Sequence, residues 1–348
     1  MRVLVTGAAG FIGSAVCDTL VAAGHDVLRV DLLIPQAHGE HAEDQSARPD
    51  LARLDVRDAG SWADRLRDVD VVCHQAAMVG AGVRVADLPA YAGHNDLGTA
   101  VLLAAMHEAG VHRLVLASSM VVYGEGRYVC PEHGAVRARV RDEAQLEAGM
   151  FDHHCPVCRE PLGWDLVDED ARLDPRSSYA ASKVAQEHYS AAWVRQAGAR
   201  AVALRYHNVY GPRMPRDTPY SGVAAIFRSS LEHREPPQVF EDGAQMRDFV
   251  HVTDVARANV RAVEAVMAGD TDDFEAVNVC SGHPVSIRQV AEILGATGGI
   301  TPEVTGRYRP GDVRHVVASA ERARTRLGFA AEVTPDEGLA AFVHDPLR

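Results

Sequence analysis

Short apolar runs alternate with helical patterns along the first half of the chain. The runs Arg2–Thr6, Asp26–Asp31, Leu51–Val56, Asp70–His74, Arg113–Ser119 and Ala201–Tyr206 predict strands. Helices are predicted between them over Phe11–Ala23, Ala59–Asp68, Gly93–Ala109 and Ser178–Gln196. A last strand, Ala276–Cys280, follows a helical stretch over Thr253–Met267. Strands that alternate with helices imply an α/β fold with a parallel, doubly wound sheet. Pro35–Pro49 reads as a surface loop, and Gly, Pro and polar residues break up Gly211–Ser221 and Glu235–Gly243. Gly124 to about Asp174 does not fit the alternation. It has no clear period, several charges and four metal-capable residues, so it reads as an insertion.

The first strand runs into Gly7-Ala8-Ala9-Gly10-Phe11-Ile12-Gly13, which opens a predicted helix. A dinucleotide pyrophosphate resting on backbone N–H groups needs such glycines, because side chains would block its approach. Asp31 ends the second strand, 18 residues after Gly13, where a carboxylate can accept from adenosine ribose hydroxyls. No Arg follows directly to receive a 2′-phosphate, which favours NAD over NADP, although Arg29 is close by.

Tyr179 and Lys183 stand four residues apart on a predicted helix, hence on one face. An ammonium there can stabilise a phenolate and draw the tyrosine pKa from about 10 toward neutrality, making a general base. Lys183 is the single lysine among 35 basic residues, the rest being arginine. Arginine cannot stand in where a compact, tunable ammonium is required. Ser119 ends the fifth strand, at the carboxyl edge where open α/β sheets bind ligands.

Charge and composition narrow the partners. The 348 residues carry a net charge of −13, which argues against nucleic acid. No apolar run reaches membrane-spanning length, and Met1 leads straight into a strand without the layout of a signal peptide. A cytoplasmic protein is expected, with six cysteines that are thiols or metal ligands rather than disulfides.

Together these motifs resemble the extended short-chain dehydrogenase/reductase superfamily, in the branch acting on nucleotide-diphosphate sugars. Matching segments are Gly7–Gly13, His74–Ala77, Asn95–Thr99, Ser118-Ser119 with Val122-Tyr123-Gly124, Tyr179–Lys183, Leu204–Arg213, Arg247–Val252 and Arg309–Asp312. Gly124–Tyr128, Cys130, His133-Gly134, Cys155–Cys158 and Tyr220–Gly222 are similar to the dTDP-L-rhamnose 4-epimerase-like group. One departure is His207, where the branch usually has Phe.

The resemblance implies a Rossmann domain of residues 1–208 and 249–281, an insertion of 125–174, and a nucleotide-sugar domain of 209–248 and 282–348. It implies cofactor contacts from Gly7, Gly10, Phe11, Ile12, Gly13, Asp31, Asp55, Val56, Ala76, Ala77, Asn95, Tyr179 and Lys183. Substrate contacts would come from Ser119, Asn208, Arg247, Arg309 and Asp312, with arginine suited to pairing two phosphate oxygens. It further implies a homodimer formed through the helices Gly93–Ala109 and Ser178–Gln196.

Within the branch, 4,6-dehydratases carry an acidic pair where this chain has Met120 and Val121, so elimination of water lacks its acid and base. Decarboxylating relatives also use an acidic residue at the position of Val121, and 3,5-epimerase/reductases carry a cysteine near the active serine that is missing here. Ser119, Tyr179, Lys183 and NAD remain, the minimum set for 4-epimerisation of a dTDP- or UDP-hexose. Two alternatives stay open: a 4-ketoreductase or dehydrogenase using the same residues, and a non-enzymatic dinucleotide sensor.

In the insertion, Cys130-Pro-Glu-His133 and Cys155-Pro-Val-Cys158 form two ligand pairs separated by residues 134–154. This spacing predicts a closed, structural zinc site of three cysteines and one histidine. His153 or His154 could replace His133, and a redox pair at Cys155 and Cys158 is the other chemistry the spacing allows. The insertion leaves the Ser119 strand and returns to the Tyr179 helix, so it should border the sugar pocket.

Overall fold

Among the described residues, seven strands form one parallel sheet in the order Phe274–Val279, Arg200–Tyr206, Arg113–Ser119, Val71–His74, Arg2–Thr6, Asp26–Asp31, Leu51–Arg53. The computed structural model describes residues 1–38, 49–62, 64–80, 82, 84–216 and 222–347. Residues 39–48 of the predicted Pro35–Pro49 loop, and Tyr220 and Ser221, lie outside them. The strands are apolar on both faces because helices cover both. Alternation along Arg2–Thr6 sends Val3 and Val5 into one core and Leu4 into the other. The first core takes in the helices Phe11–Ala22 and Val252–Ala268. The second takes in Gly98–Glu108 and Ser178–Ala197.

The Tyr179 helix starts where Ser177 accepts from Ala180 N and stops at Gly198, whose φ of +62° is the left-handed C-terminal cap. A smaller lobe packs the helices Val223–Glu232, Ile287–Gly298 and Pro335–Phe342 around Tyr210, Phe227, Phe249 and Phe342. The inserted segment folds as a three-stranded antiparallel sheet, Gly134–Val136, Arg127–Cys130, Gly163–Asp165, with a short helix at Glu143–Glu147. Its own core is small: Tyr128, Cys130, Ala138, Cys155 and Leu162.

Several predicted elements differ in detail. Instead of a helix over Ala59–Asp68, the described residues form a 3₁₀ turn at Ala59–Ser61. Asp58 competes for the backbone there, accepting from Gly60 N and Ser61 Oγ, and Asp68 ends the stretch at φ +59°. The strand predicted to reach Val56 ends at Arg53. The helix predicted from Gly93 begins at Leu88 and passes through a π-helical stretch, Ala92–Leu97, before Gly98–Glu108. No helix among the described residues is long and apolar enough to cross a membrane.

Candidate active site

The glycine-rich turn and the ends of four strands enclose one cleft. It is lined by Gly7, Gly10, Asp31, Asp55, Val56, Ala76 and Ala77, with Leu32, His38, Gln75 and Met78. Gly7 takes φ +66°, and a Cβ on it would lie 2.6 Å from Ala76 N. A Cβ on Gly13 would lie 2.0 Å from Gly7 O, so the turn closes on its helix only with glycine. The Phe11 side chain packs onto the small lobe and the Ile12 side chain into the main core.

Asp31 Oδ2 accepts from Ala9 N at 3.0 Å, and Oδ1 accepts from Leu33 N at 2.8 Å with His38 Nε2 at 3.3 Å. Burial would raise its pKa, but these partners, His38 first among them, hold it below the usual value. The carboxylate is therefore ionised at neutral pH and keeps acceptor capacity on Oδ2. Asp55 forms an ion pair with Arg57 at the cleft rim. Asn95, fully buried in the π-helical stretch, donates to Ser182 Oγ and Met78 O and accepts from Met78 N. It thereby ties the loop after the fourth strand to the Tyr179 helix.

Ser119, Tyr179 and Lys183 come together at the carboxyl edge of the sheet. Ser119 lies near enough to the Tyr179 phenol to pull its pKa down, and the ring of Tyr91 lies 5.9 Å from that of Tyr179. Lys183 is 3% exposed, its Nζ 5.9 Å from the Tyr179 ring centroid and 2.9 Å from Ala117 O, to which it donates. The expectation that Lys183 brings Tyr179 toward neutrality needs correction for the chain by itself. Burial pushes the Tyr179 phenol up to about 12, against the pull of Ser119. Burial likewise pushes Lys183 down to about 7, with Glu187 opposing. Both charged forms are desolvated, and the ammonium is aimed at a carbonyl rather than at the phenol.

Beneath this edge lies a polar network that sequence reasoning missed. Ser118 Oγ donates to Glu187 Oε1 at 2.5 Å, and Glu187 pairs with Arg205 at 2.7 and 2.9 Å. Arg205 donates onward to Tyr123 Oη, which donates to Asn278 Oδ1. The available signal was Glu187, one turn beyond Lys183 on the same helix face. His74, buried under the cleft, contacts Thr6 Oγ1 at 2.7 Å and Thr99 Oγ1 at 3.0 Å.

The predicted substrate residues gather on the small-lobe side. Arg247 Nη1 donates to Met246 O and Arg314 O, and Nη2 donates to Val313 O. Of its five donors this leaves the side-on pair, Nε–H and one Nη2–H. Asp312 lies within electrostatic reach of Arg309 and Arg247. The Arg309 guanidinium stacks 4.9 Å from the Phe240 ring. Among the described residues, Asn208 Oδ1 and both ring nitrogens of His207 are buried with no hydrogen bond of good geometry.

In the insertion, Cys130 Sγ lies 3.5 Å from His133 Nδ1 and 3.6 Å from Cys158 Sγ, and Cys155 Sγ lies 3.6 Å from His133 Nδ1. All four ligand atoms fall within 4.8 Å of one another. His153 does not join them; its Nε2 faces Glu125 Oε1 at 3.3 Å.

The sequence model of the NAD dependent epimerase/dehydratase family matches residues 3–140 and 160–280, and the chain belongs to that family. The unmatched residues between those two stretches fall inside the insertion. Among curated relatives, the chain is 33% identical to a dTDP-L-rhamnose 4-epimerase of Burkholderia thailandensis over 347 residues, 97% of this chain and 93% of the relative. Among solved structures it is similar to a UDP-glucuronic acid 4-epimerase variant from Bacillus cereus in complex with UDP-4-deoxy-4-fluoro-glucuronic acid and NAD. The TM-score is 0.79 at 26% identity, covering 99% of this chain and 98% of the other. The NAD complex of Thermus thermophilus UDP-glucose 4-epimerase gives a TM-score of 0.75 at 30% identity, covering 99% and 98%.

Proposed function

We infer that the chain is an NAD-dependent 4-epimerase of nucleotide-diphosphate sugars, acting on a dTDP- or UDP-hexose such as dTDP-L-rhamnose. The observation that carries the reading is the convergence of Ser119, Tyr179 and Lys183 beside a glycine cradle that admits no Cβ at Gly7 or Gly13. Ionised Asp31 in the cleft suits ribose hydroxyls and repels a 2′-phosphate.

The residues suited to hold NAD are Gly7, Gly10 and Gly13 at the pyrophosphate, Asp31 at the adenosine ribose, and Lys183 at the nicotinamide ribose. When bound, oxidised NAD supplies the hydride acceptor at sugar C4 and a positive charge near the phenol. Tyr179 Oη, as the phenolate that the cofactor's positive charge would favour, would take the proton of the 4-hydroxyl, with Ser119 Oγ bridging the same oxygen. The 4-keto sugar turns while Asn208, Arg247 and Arg309 keep hold of its diphosphate. Tyr179 then returns the proton as C4 is reduced on its other face. Met120 and Val121 beside Ser119 offer no group for elimination. In this reading, residues 1–208 and 249–281 serve the cofactor, and 209–248 and 282–348 serve the nucleotide sugar.

The insertion supports a structural zinc. A tetrahedral site with Zn–S of about 2.3 Å and Zn–N of about 2.0–2.1 Å has ligand–ligand edges of roughly 3.5–3.8 Å. Three of the six separations, Cys130–His133, Cys130–Cys158 and Cys155–His133, are 3.5–3.6 Å and fit that frame, and the others lie within 4.8 Å. Four protein ligands leave no open position, so the metal would staple a module whose own core is small.

The protein is read as a cytoplasmic homodimer. Its six cysteines form no disulfide among the described residues, and Leu97 and Tyr189 expose apolar surface on the helices expected to pair. A monomer by light scattering at micromolar concentration would contradict the dimer.

The functional test is direct. Purified protein should release NAD on denaturation. Tyr179→Phe should keep that NAD yet lose at least ~10²-fold in turnover. Product that forms only with added, stoichiometric NAD(P)H would instead favour a ketoreductase.

A further inference from the structure

The geometry points to Arg141, on the inserted segment, as a positioning residue for the nucleotide-sugar site. It acts by fixing the loop that carries Arg309 and Asp312. The proposal rests on the reading of that loop as part of the diphosphate site.

The loop spans residues 307–312, and both of its ends are pinned. At the far end, Arg141 Nη2 donates to Asp312 O at 2.7 Å. At the near end, Glu241 N donates to Arg307 O at 2.7 Å, and Gly306 N donates to Glu241 O at 3.2 Å. The two pins are one device, because Arg141 also grips the Glu241 carboxylate with both arms, at 2.8 and 2.9 Å. Between the pins, Arg309 and Arg307 each stack 4.9 Å from Phe240, the residue before Glu241.

The device is buried. The Arg141 and Glu241 side chains are 5% and 2% exposed. Arg314, 1% exposed, backs the same carboxylate at 2.9 Å and also holds Asp242 and, from the insertion, Asp152. Glu241 takes φ +56°, a left-handed backbone that a non-glycine residue holds only when its surroundings insist on it. Arg141 takes a further carbonyl, Phe151 O at 3.1 Å, which anchors its stem in the insertion. A surface ion pair would be worth little and need no such scaffold. A buried, forked pair fixes geometry, since both Nη groups of Arg141 are tied to acceptors, only Nε having no partner among the described residues.

Arg141 touches neither the cofactor cleft nor Tyr179. Its removal should therefore weaken diphosphate binding and leave the chemistry and the NAD alone. The test is calorimetric titration of the NAD-loaded protein with UDP and with dTDP, together with the kcat and KM of the 4-epimerisation. Arg141→Met should weaken nucleotide binding and raise KM by about tenfold or more, the scale of losing one charged hydrogen-bonding partner. Its kcat should stay within about threefold and its NAD content should not change. Arg141→Lys keeps the charge but not the fork and should fall between the two. It carries the same test if the methionine variant does not fold. Binding and KM within about twofold of wild type in the folded variant would overturn the proposal. So would a fall in kcat at constant KM. A wild-type protein that binds neither nucleotide would overturn the reading of the site and the proposal with it.

Discussion

Lys183 Nζ donates to Ala117 O at 2.9 Å, so the single lysine is anchored to the strand that ends in Ser119 rather than to the tyrosine it accompanies. That anchor fixes the height of the ammonium above the sheet and leaves its other two protons for a ligand. The cost is burial. The ammonium, ordinarily at 10.5, is pushed down to about 7.

This has a signed consequence for stability. The folded state resists protonation of Lys183 between 10.5 and about 7, while the unfolded chain accepts the proton. The penalty therefore grows as pH falls through that window and is complete below it. Lys183→Met should be inactive, yet its gain in thermal stability over NAD-free wild type should be larger at about pH 6 than at about pH 9. An equal offset at both pH values would show that burial does not depress Lys183. Lys183→Arg should also lose activity severely, because the wider guanidinium cannot share the Ala117 site.

Tyr179 gives the complementary titration. Held up to about 12 by burial, it stays protonated in the NAD-free chain where exposed tyrosines ionise. From about pH 8 to pH 11, NAD-free wild type and Tyr179→Phe should therefore show equal tyrosinate absorbance per molecule from their shared tyrosines. Loading oxidised NAD should raise the wild type above the variant in that window. No divergence on loading would mean that the phenol is not tuned by its neighbours.

The insertion predicts one zinc per chain. Elemental analysis of protein purified without chelator should find it, and Cys155→Ala should lose it. Metal loss should loosen the rim of the sugar site and raise KM while NAD stays bound. Protein with no zinc would remove the metal from the account.

His207 supplies an acid-side test. Burial, seconded by Arg247 and Arg205 and opposed by Asn278, pushes its imidazole from 6.5 down to about 3. Above 6.5 neither state is charged. As pH falls from 6.5 toward 3 the unfolded chain binds a proton that the folded one refuses, and stability drains away. His207→Phe should gain on wild type in urea midpoint as pH falls from about 7 to about 4.5. A gap that does not change with pH would contradict it.

The order of strands and helices, and the grouping of Ser119, Tyr179 and Lys183, were legible because local rules fix them. Period, glycine spacing and an i, i+4 pair need no knowledge of distant residues. What escaped was set by tertiary contact. Gln186 and Glu187 lie on the lysine helix like any polar pair, yet Glu187 meets Ser118 and Arg205 only once the sheet is built. Arg141 reads as one arginine among many until Glu241 and the Asp312 carbonyl arrive from the other lobe. The predicted Ala59–Asp68 helix failed for the opposite reason, since Asp58 offered the backbone a nearer partner than the next turn. His133 was preferred over His153 as fourth ligand only by spacing; the fold turns His153 to Glu125 instead.

The central claim is hydride transfer out of and back into sugar C4, with Tyr179 moving only the hydroxyl proton. It is tested most directly by incubating the purified protein in D₂O, without added cofactor, with a panel of dTDP- and UDP-hexoses, and following C4 by NMR. The account predicts that one of them yields its C4 epimer with the C4 hydrogen still protium, and that Tyr179→Phe yields none. No C4 epimer from any of them, or deuterium at C4 of the product, would contradict it.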